Sequence, residues 1–419
     1  MLTDPVFKNS LHGFKLIEKA GISAEYLLPE FPTVTATNYF SLFSGLYPEH
    51  HGIYGDVLYN ERTGKGQRLD ETATSFSNAP LRWNRTELIW DTAIQQGVET
   101  SLYYWRICPE HSPLLHRCTP HGEPDSVQLA QFVSAVIEQV TSLGVRLILI
   151  DLANVANAAR VHGATAPQTA RAVRDISTML YELQTALREF NVLDNTNLLV
   201  FSDHGLVSTS HDRYTFIDDY LDPMLINKIV FSGSFAWLFP ATNKTFQVHQ
   251  ALFGKLQHCD LYWTHDTPSR WRFAAVSSDV PPLLLLCSPG YGVSCRMPCH
   301  EYPELPATVT NEYFPGALAG YDNAAPTMKG VFMARGPGIN KLDNDDFADR
   351  NWLRVVDVYG ILCRLLDVAC RPHNGDFARM AKVAGAAATI RPSESSVILC
   401  CSAIALVTRM ITDVCLLSL

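Results

Sequence analysis

The sequence predicts an α/β protein: one block built on a mostly parallel sheet with helices packed against it. Two observations carry that reading. Apolar strand-like runs alternate with amphipathic helical runs along most of the chain. The 419 residues are 47% hydrophobic and 18% charged, enough to bury a large core and too apolar for disorder.

Taken in order, residues 11–20 have helical periodicity and 24–31 read as a strand that leads into a second helix ending at Gly45. Residues 87–96 read as helix, 100–105 as strand, 126–142 as helix and 146–151 as a buried strand. A long helix over 168–189 precedes a strand over 197–202, and the pattern returns with a strand at 330–334 and a helix at 355–366. Gly and Pro mark loops at 64–66, 281–282, 289–292 and 298–315, the last a surface insertion spanning about 290–318. The pattern changes after Arg391, so one domain is expected over 1–385 and an apolar tail over 386–419.

The formal charge is −9 and no basic run occurs, which excludes binding along a nucleic-acid backbone. A single nucleotide remains compatible, because a bound metal ion can supply local positive charge. Of the eleven cysteines, Cys108 and Cys118, Cys259 and Cys287, and Cys295 and Cys299 bracket short segments. That grouping predicts disulfides in an oxidising compartment. Cys363 and Cys370 fall on a predicted helix and read as small apolar packing residues. The sequons Asn84-Arg-Thr86 and Asn243-Lys-Thr245 fit a secreted route.

Met1-Leu-Thr-Asp-Pro5 lacks the basic-then-apolar pattern of a signal peptide. Residues 397–408 are mostly apolar, and 410–419 form a second apolar stretch broken by Asp413. A membrane span needs about 20 apolar residues. Three readings of the tail stand: a membrane span, a lipid-anchor signal, or a packed amphipathic helix.

The most informative stretch is Phe31-Pro-Thr-Val-Thr-Ala-Thr-Asn38, continuing to Phe43-Ser-Gly-Leu-Tyr-Pro-Glu-His-His-Gly-Ile53. A hydroxyl-rich turn opens a helix there. A helix N-terminus presents unpaired N–H groups and partial positive charge, so Thr35 would face a bound phosphate. Phe201-Ser-Asp-His-Gly205 sets a carboxylate and an imidazole at a strand end, with Gly205 permitting the backbone to turn. Gly320-Tyr-Asp-Asn323 forms a further block, and Glu87 to Gly97, Ser101 to Trp105 and Pro268 to Phe273 fall between the others.

In this order the blocks resemble the nucleotide pyrophosphatase/phosphodiesterase family of the alkaline phosphatase superfamily, over roughly residues 10–375. The resemblance implies an alkaline-phosphatase-like three-layer sandwich, a Thr nucleophile at Thr35, and two zinc ions. Such a pair lies about 3.5–4 Å apart, one ion activating the nucleophile and the other stabilising the leaving group. Asp203 and His204 match metal ligands, with Thr35 completing their half of the site. Asn38 and Asp56 match substrate-facing positions, and Asp56 replaces an Asn that donates to phosphate. An ionised Asp accepts only and repels an anion.

The other half departs from the family. Its Asp-x-x-Gly-His-x-x-Gly motif aligns so that Ala156 stands for the Asp and Arg160 for the His, while Ala319 replaces a third ligand. Neither Ala nor Arg binds zinc. The family's first metal Asp lies on a strand before Leu11, so the sheet is expected to lack that strand and to show a gap or altered edge near Phe201–Asp203. At most one zinc ion is expected. Three functions follow: a largely inactive relative that binds a nucleotide or other phosphodiester, a one-metal phosphodiester hydrolase using Thr35, or a glycosylated surface interaction protein. The resemblance places the protein outside the cell or at its surface.

Overall fold

A computed structural model describes residues 9–61, 63–69, 86–108, 112–272, 280–295, 315–340, 352–384 and 396–400. Seven strands make the central sheet: β1 (Ile22–Ser23), β2 (Thr100–Trp105), β3 (Leu115–Pro120), β4 (Leu147–Ile150), β5 (Thr196–Phe201), β6 (Phe332–Arg335) and β7 (Ser396–Cys400). Their spatial order is β1-β6-β5-β7-β4-β2-β3. The run from β5 to β3 is parallel, and β6 and β1 add an antiparallel edge.

Alternation along the strands divides the core in two. Leu147, Leu149, Leu199 and Phe201 point to one face, and Ile148, Ile150, Leu198 and Val200 to the other. Helices α1 (His12–Ala20), α3 (Asn154–His162) and α4 (Pro167–Glu189) cover the second face. Helices α2 (Thr35–Ser44) and α5 (Val355–Leu366) cover the first. Two-sided burial explains why the central strands are continuous apolar runs. The result is a three-layer α/β/α sandwich. α2 ends at Gly45, whose φ of 69° suits a residue without a Cβ and whose N–H returns to the Ser41 carbonyl.

The expected gap near Phe201–Asp203 is filled. β7 runs parallel to both neighbours, with Ile398 opposite Ile148 on one side and Leu198 on the other. A five-residue stretch of the predicted tail is therefore the sheet's middle strand, satisfying the N–H and C=O groups that β4 and β5 would otherwise leave unpaired. The boundary near 385 does not divide the tail from the domain at this stretch. Among the described residues no helix is long and apolar enough to cross a membrane.

Between β5 and β6 lies a second sheet that the sequence pattern did not reveal. Four antiparallel strands, Ile226–Phe231, Phe235–Pro240, Leu283–Cys287 and Cys259–Trp263, lie in that order around a core of their own. Cys259 and Cys287 face each other across it and form a disulfide, and Cys108 pairs with Cys118. Cys295 is also disulfide-bonded, while Cys299, Asn84 and most of the 290–318 insertion lie outside the described residues. The predicted strand over 24–31 shortens to Tyr26–Leu28 and pairs with Trp352–Arg354, apart from the central sheet. Cys370 lies beyond the end of α5 and is exposed, so it is not the helical packing residue expected.

Candidate functional site

The parallel strands end along one edge, and the polar residues that follow them meet there. Thr35 is the first residue of α2 and nearly buried. Its approach loop is held by Asn38, whose carboxamide accepts from the Glu30 N–H (2.7 Å) and donates to the carbonyls of Glu30, Pro32 and Val34 (3.2, 3.2 and 3.0 Å). Asn38 thus spends its polar atoms on the loop itself, unlike the substrate-facing role expected. Thr33 donates to the Tyr321 carbonyl (2.9 Å), and Asn323 donates to that of Pro29 (3.1 Å). The 320–323 block is a brace for the Thr35 turn.

Asp203 and His204 follow β5, and both are buried. His204 Nδ1 lies 2.8 Å from the Gly205 carbonyl, which can only accept, so Nδ1 carries the proton. Nε2 then accepts from the Thr35 hydroxyl at 3.1 Å and faces an Asp203 carboxylate oxygen at 3.3 Å. Two oxygens and an imidazole nitrogen converge. Gly205 serves here by close approach: a Cβ would lie 1.8 Å from the Thr327 carbonyl oxygen. Asp56 accepts the Ala36 N–H at 2.8 Å, so its carboxylate occupies a free donor of α2's first turn.

The surroundings of Ala156 and Ala319, where the resemblance expects further ligands, are apolar. Ala156 packs with Ala159, Ala164, Leu206 and Ala317, and half-buried Ala319 joins the same cluster. Arg160 turns along α3 to donate to Asn157 (3.1 Å), and its carbonyl accepts from Gly316 (2.5 Å). His162 ends α3, exposed.

Sequence reasoning missed Arg106, Asp151 and His121, which follow β2, β4 and β3. Arg106 Nε donates to Asp151 at 2.8 Å, and His121 Nδ1 lies 3.5 Å from the same oxygen. Burial pulls the Arg106 guanidinium down, while the carboxylates of Asp151, Asp203 and Asp56 help hold it above its ordinary value. For His121 burial lowers the pKa first, and Arg106 adds to the effect. The available signal was positional: Arg106 and Asp151 are the first residues beyond two parallel strands.

Sandwich and strand-end site together define a protein of alkaline-phosphatase-like fold. The chain matches the model of the type I phosphodiesterase/nucleotide pyrophosphatase family over residues 2–322, and it belongs to that family. It is 26% identical over 378 residues to human ectonucleotide pyrophosphatase/phosphodiesterase family member 5, covering 89% of this chain and 74% of that one. It is 25% identical over 370 residues to the bovine bis(5'-adenosyl)-triphosphatase of the same family, covering 86% and 74%. The solved murine family member 5 superimposes with a TM-score of 0.74 at 24% identity, covering 89% of this chain and 95% of that one. An inactive form of that murine protein, in complex with AMP, gives a TM-score of 0.73.

Thr35, Asp203 and His204 offer donors of suitable type for one ion. Ala156 and Ala319 offer none, and among the described residues no group of three or more His, Cys, Asp or Glu side chains is disposed to hold a metal.

Proposed function

We propose that this family member binds a nucleotide or another phosphate ester in its strand-end cleft and hydrolyses phosphodiesters weakly or not at all. The observation carrying this reading is that Ala156 and Ala319 share one apolar cluster, where the family resemblance calls for metal ligands. Without a second ion the cleft lacks the charge that stabilises a leaving group. Asp56 supports the same reading, since its carboxylate already takes the Ala36 N–H and repels an incoming phosphate. Zinc content and turnover of a chromogenic phosphodiester test it: expected are less than one zinc per chain and no turnover above the Thr35→Ala variant. Robust activity lost in that variant would overturn it, and titration with AMP reads ligand binding directly.

A second reading rests on Thr35, Asp203 and His204. These three would hold a single zinc ion, which when bound would lower the pKa of the Thr35 hydroxyl. The disulfides Cys108–Cys118 and Cys259–Cys287 support an extracellular or cell-surface setting. Asn243, exposed just before the helix Thr245–Leu252, is available for glycosylation there.

A further inference from the structure

Beside the sequon Asn243-Lys-Thr245 the small sheet's helix, Thr245–Leu252, carries aromatic rings on its outer face. The chain leaves the strand Phe235–Pro240 and turns at Asn243, which is exposed and takes a left-handed conformation (φ 62°). Two bonds fix that turn: the Lys244 N–H donates to the Ala241 carbonyl at 2.8 Å, and the Ala241 N–H to that of Leu225 at 2.9 Å. The second bond sets the Pro223–Leu225 turn beside the sequon, where Met224 is 82% exposed. On the other side Phe246 is 62% exposed. Phe246, His249 and Phe253 are spaced i, i+3 and i+7 and share one face, while Val248 and Leu252 enter the small sheet's core. The His249 ring stacks between those of Phe253 and Trp263, 4.9 Å from each and within 20° of parallel to both. Phe246 is therefore the near end of an aromatic platform that starts at the sequon, and contiguous exposed apolar surface of this kind marks a binding site.

We propose that this platform is covered by the chain's own N-linked glycan, attached at Asn243, with the first N-acetylglucosamine lying on Phe246. The inference rests on the extracellular setting proposed above and is independent of the function proposed for the cleft. The tether selects the occupant: Phe246 lies roughly one helical turn, about 5 Å, beyond Asn243, within reach of the first sugar. One face of that sugar presents C–H groups, which pack on an aromatic ring, while its hydroxyl groups stay in water. Attachment uses a lipid-linked oligosaccharide diphosphate as donor. Asn243 Nδ2 attacks C1 of its first sugar, the N–C1 bond forms, the C1–O bond to the diphosphate breaks, and the amide proton leaves with the lipid diphosphate. Sugars further along the glycan extend over the stacked rings of His249, Phe253 and Trp263.

The test expresses the full chain in cultured animal cells with an added secretion leader, so that it does not depend on the chain's own export. Export without the leader is scored separately and tests the extracellular setting alone. Thr86→Ala removes the other sequon. Glycopeptide mass spectrometry should then find Asn243 occupied in secreted protein whose Cys259–Cys287 disulfide is formed. Proton NMR of the native glycoprotein should show an N-acetyl methyl resonance shifted upfield by the ring beneath it, and Phe246→Ala should return it to the position of the free glycan. Enzymatic removal of the glycan should lower Tm, and Phe246→Ala should abolish that loss. Bare Asn243 in the secreted, disulfide-bonded chain overturns the proposal, and so does an N-acetyl resonance that Phe246→Ala leaves in place. Phe246 is exposed, so its replacement leaves the core intact.

Discussion

The Thr35 hydroxyl hydrogen-bonds His204 Nε2 at 3.1 Å across 169 residues of sequence. With Nδ1 committed to the Gly205 carbonyl, Thr35 supplies the donor that Nε2 needs beside the Asp203 carboxylate. Thr35→Ala removes that donor in a buried site and should cost about 1 kcal/mol, whereas Thr35→Ser should cost less. Denaturant midpoints of the two variants check this, and equal losses would count against the bond.

Asp151 is fully buried, and Arg106 is only 7% exposed. Arg106→Met strands the carboxylate and should destabilise the protein by about 3–5 kcal/mol. Adding Asp151→Leu should restore most of that loss. Urea unfolding of both variants is the measurement, and a double variant no better than the single one would refute the pairing as the cause.

His51 should make the protein acid-sensitive. It is fully buried, with Nε2 3.0 Å from Ser41 Oγ and Nδ1 accepting the Ile53 N–H at 3.1 Å. Burial, with a smaller contribution from His50, lowers its pKa from 6.5 to about 3. Below pH 6.5 the unfolded chain therefore binds a proton that the folded chain does not. Stability from this group is complete above pH 6.5 and is lost as pH falls toward 3, by about 2 kcal/mol at pH 5. His51→Gln should lower stability at pH 7 and flatten the profile between pH 7 and 5, measured as Tm against pH.

Asp56→Asn should strengthen phosphate binding. The change removes a negative charge from the first turn of α2, where Asp56 accepts the Ala36 N–H. Affinity for AMP, measured calorimetrically, should rise about tenfold, equivalent to about 1.4 kcal/mol. An unchanged or weaker affinity would mean that the ligand's phosphate does not reach α2.

Ile398→Pro should prevent cooperative folding. Ile398 lies in the middle strand with partners on both sides, where proline removes a ladder donor. Soluble expression and the denaturation transition report the effect. A variant as stable as the wild type would show that β7 is dispensable.

Local pattern alone made much of this protein legible. The periodicities of α1, α4 and α5, the apolar runs of β2, β4 and β5, and the Gly45 stop are written in neighbouring residues. Thr35, Asp203 and His204 each sit in a short motif next to its own strand or helix, and the fold brings the three side chains together. Tertiary structure decided the rest. Ser396–Cys400 reads as part of an apolar tail, and it becomes the middle strand because β4 and β5 leave unpaired backbone groups that only an extended segment can satisfy. Arg106 and Asp151 follow different strands, and only the parallel order of the sheet brings opposite charges together in a buried place. Ala156 and Ala319 carry no chemistry of their own. That they share one apolar cluster depends on how α3 packs against a segment far away in sequence, because apolar contact has no sequence range and is settled only when the chain closes on itself.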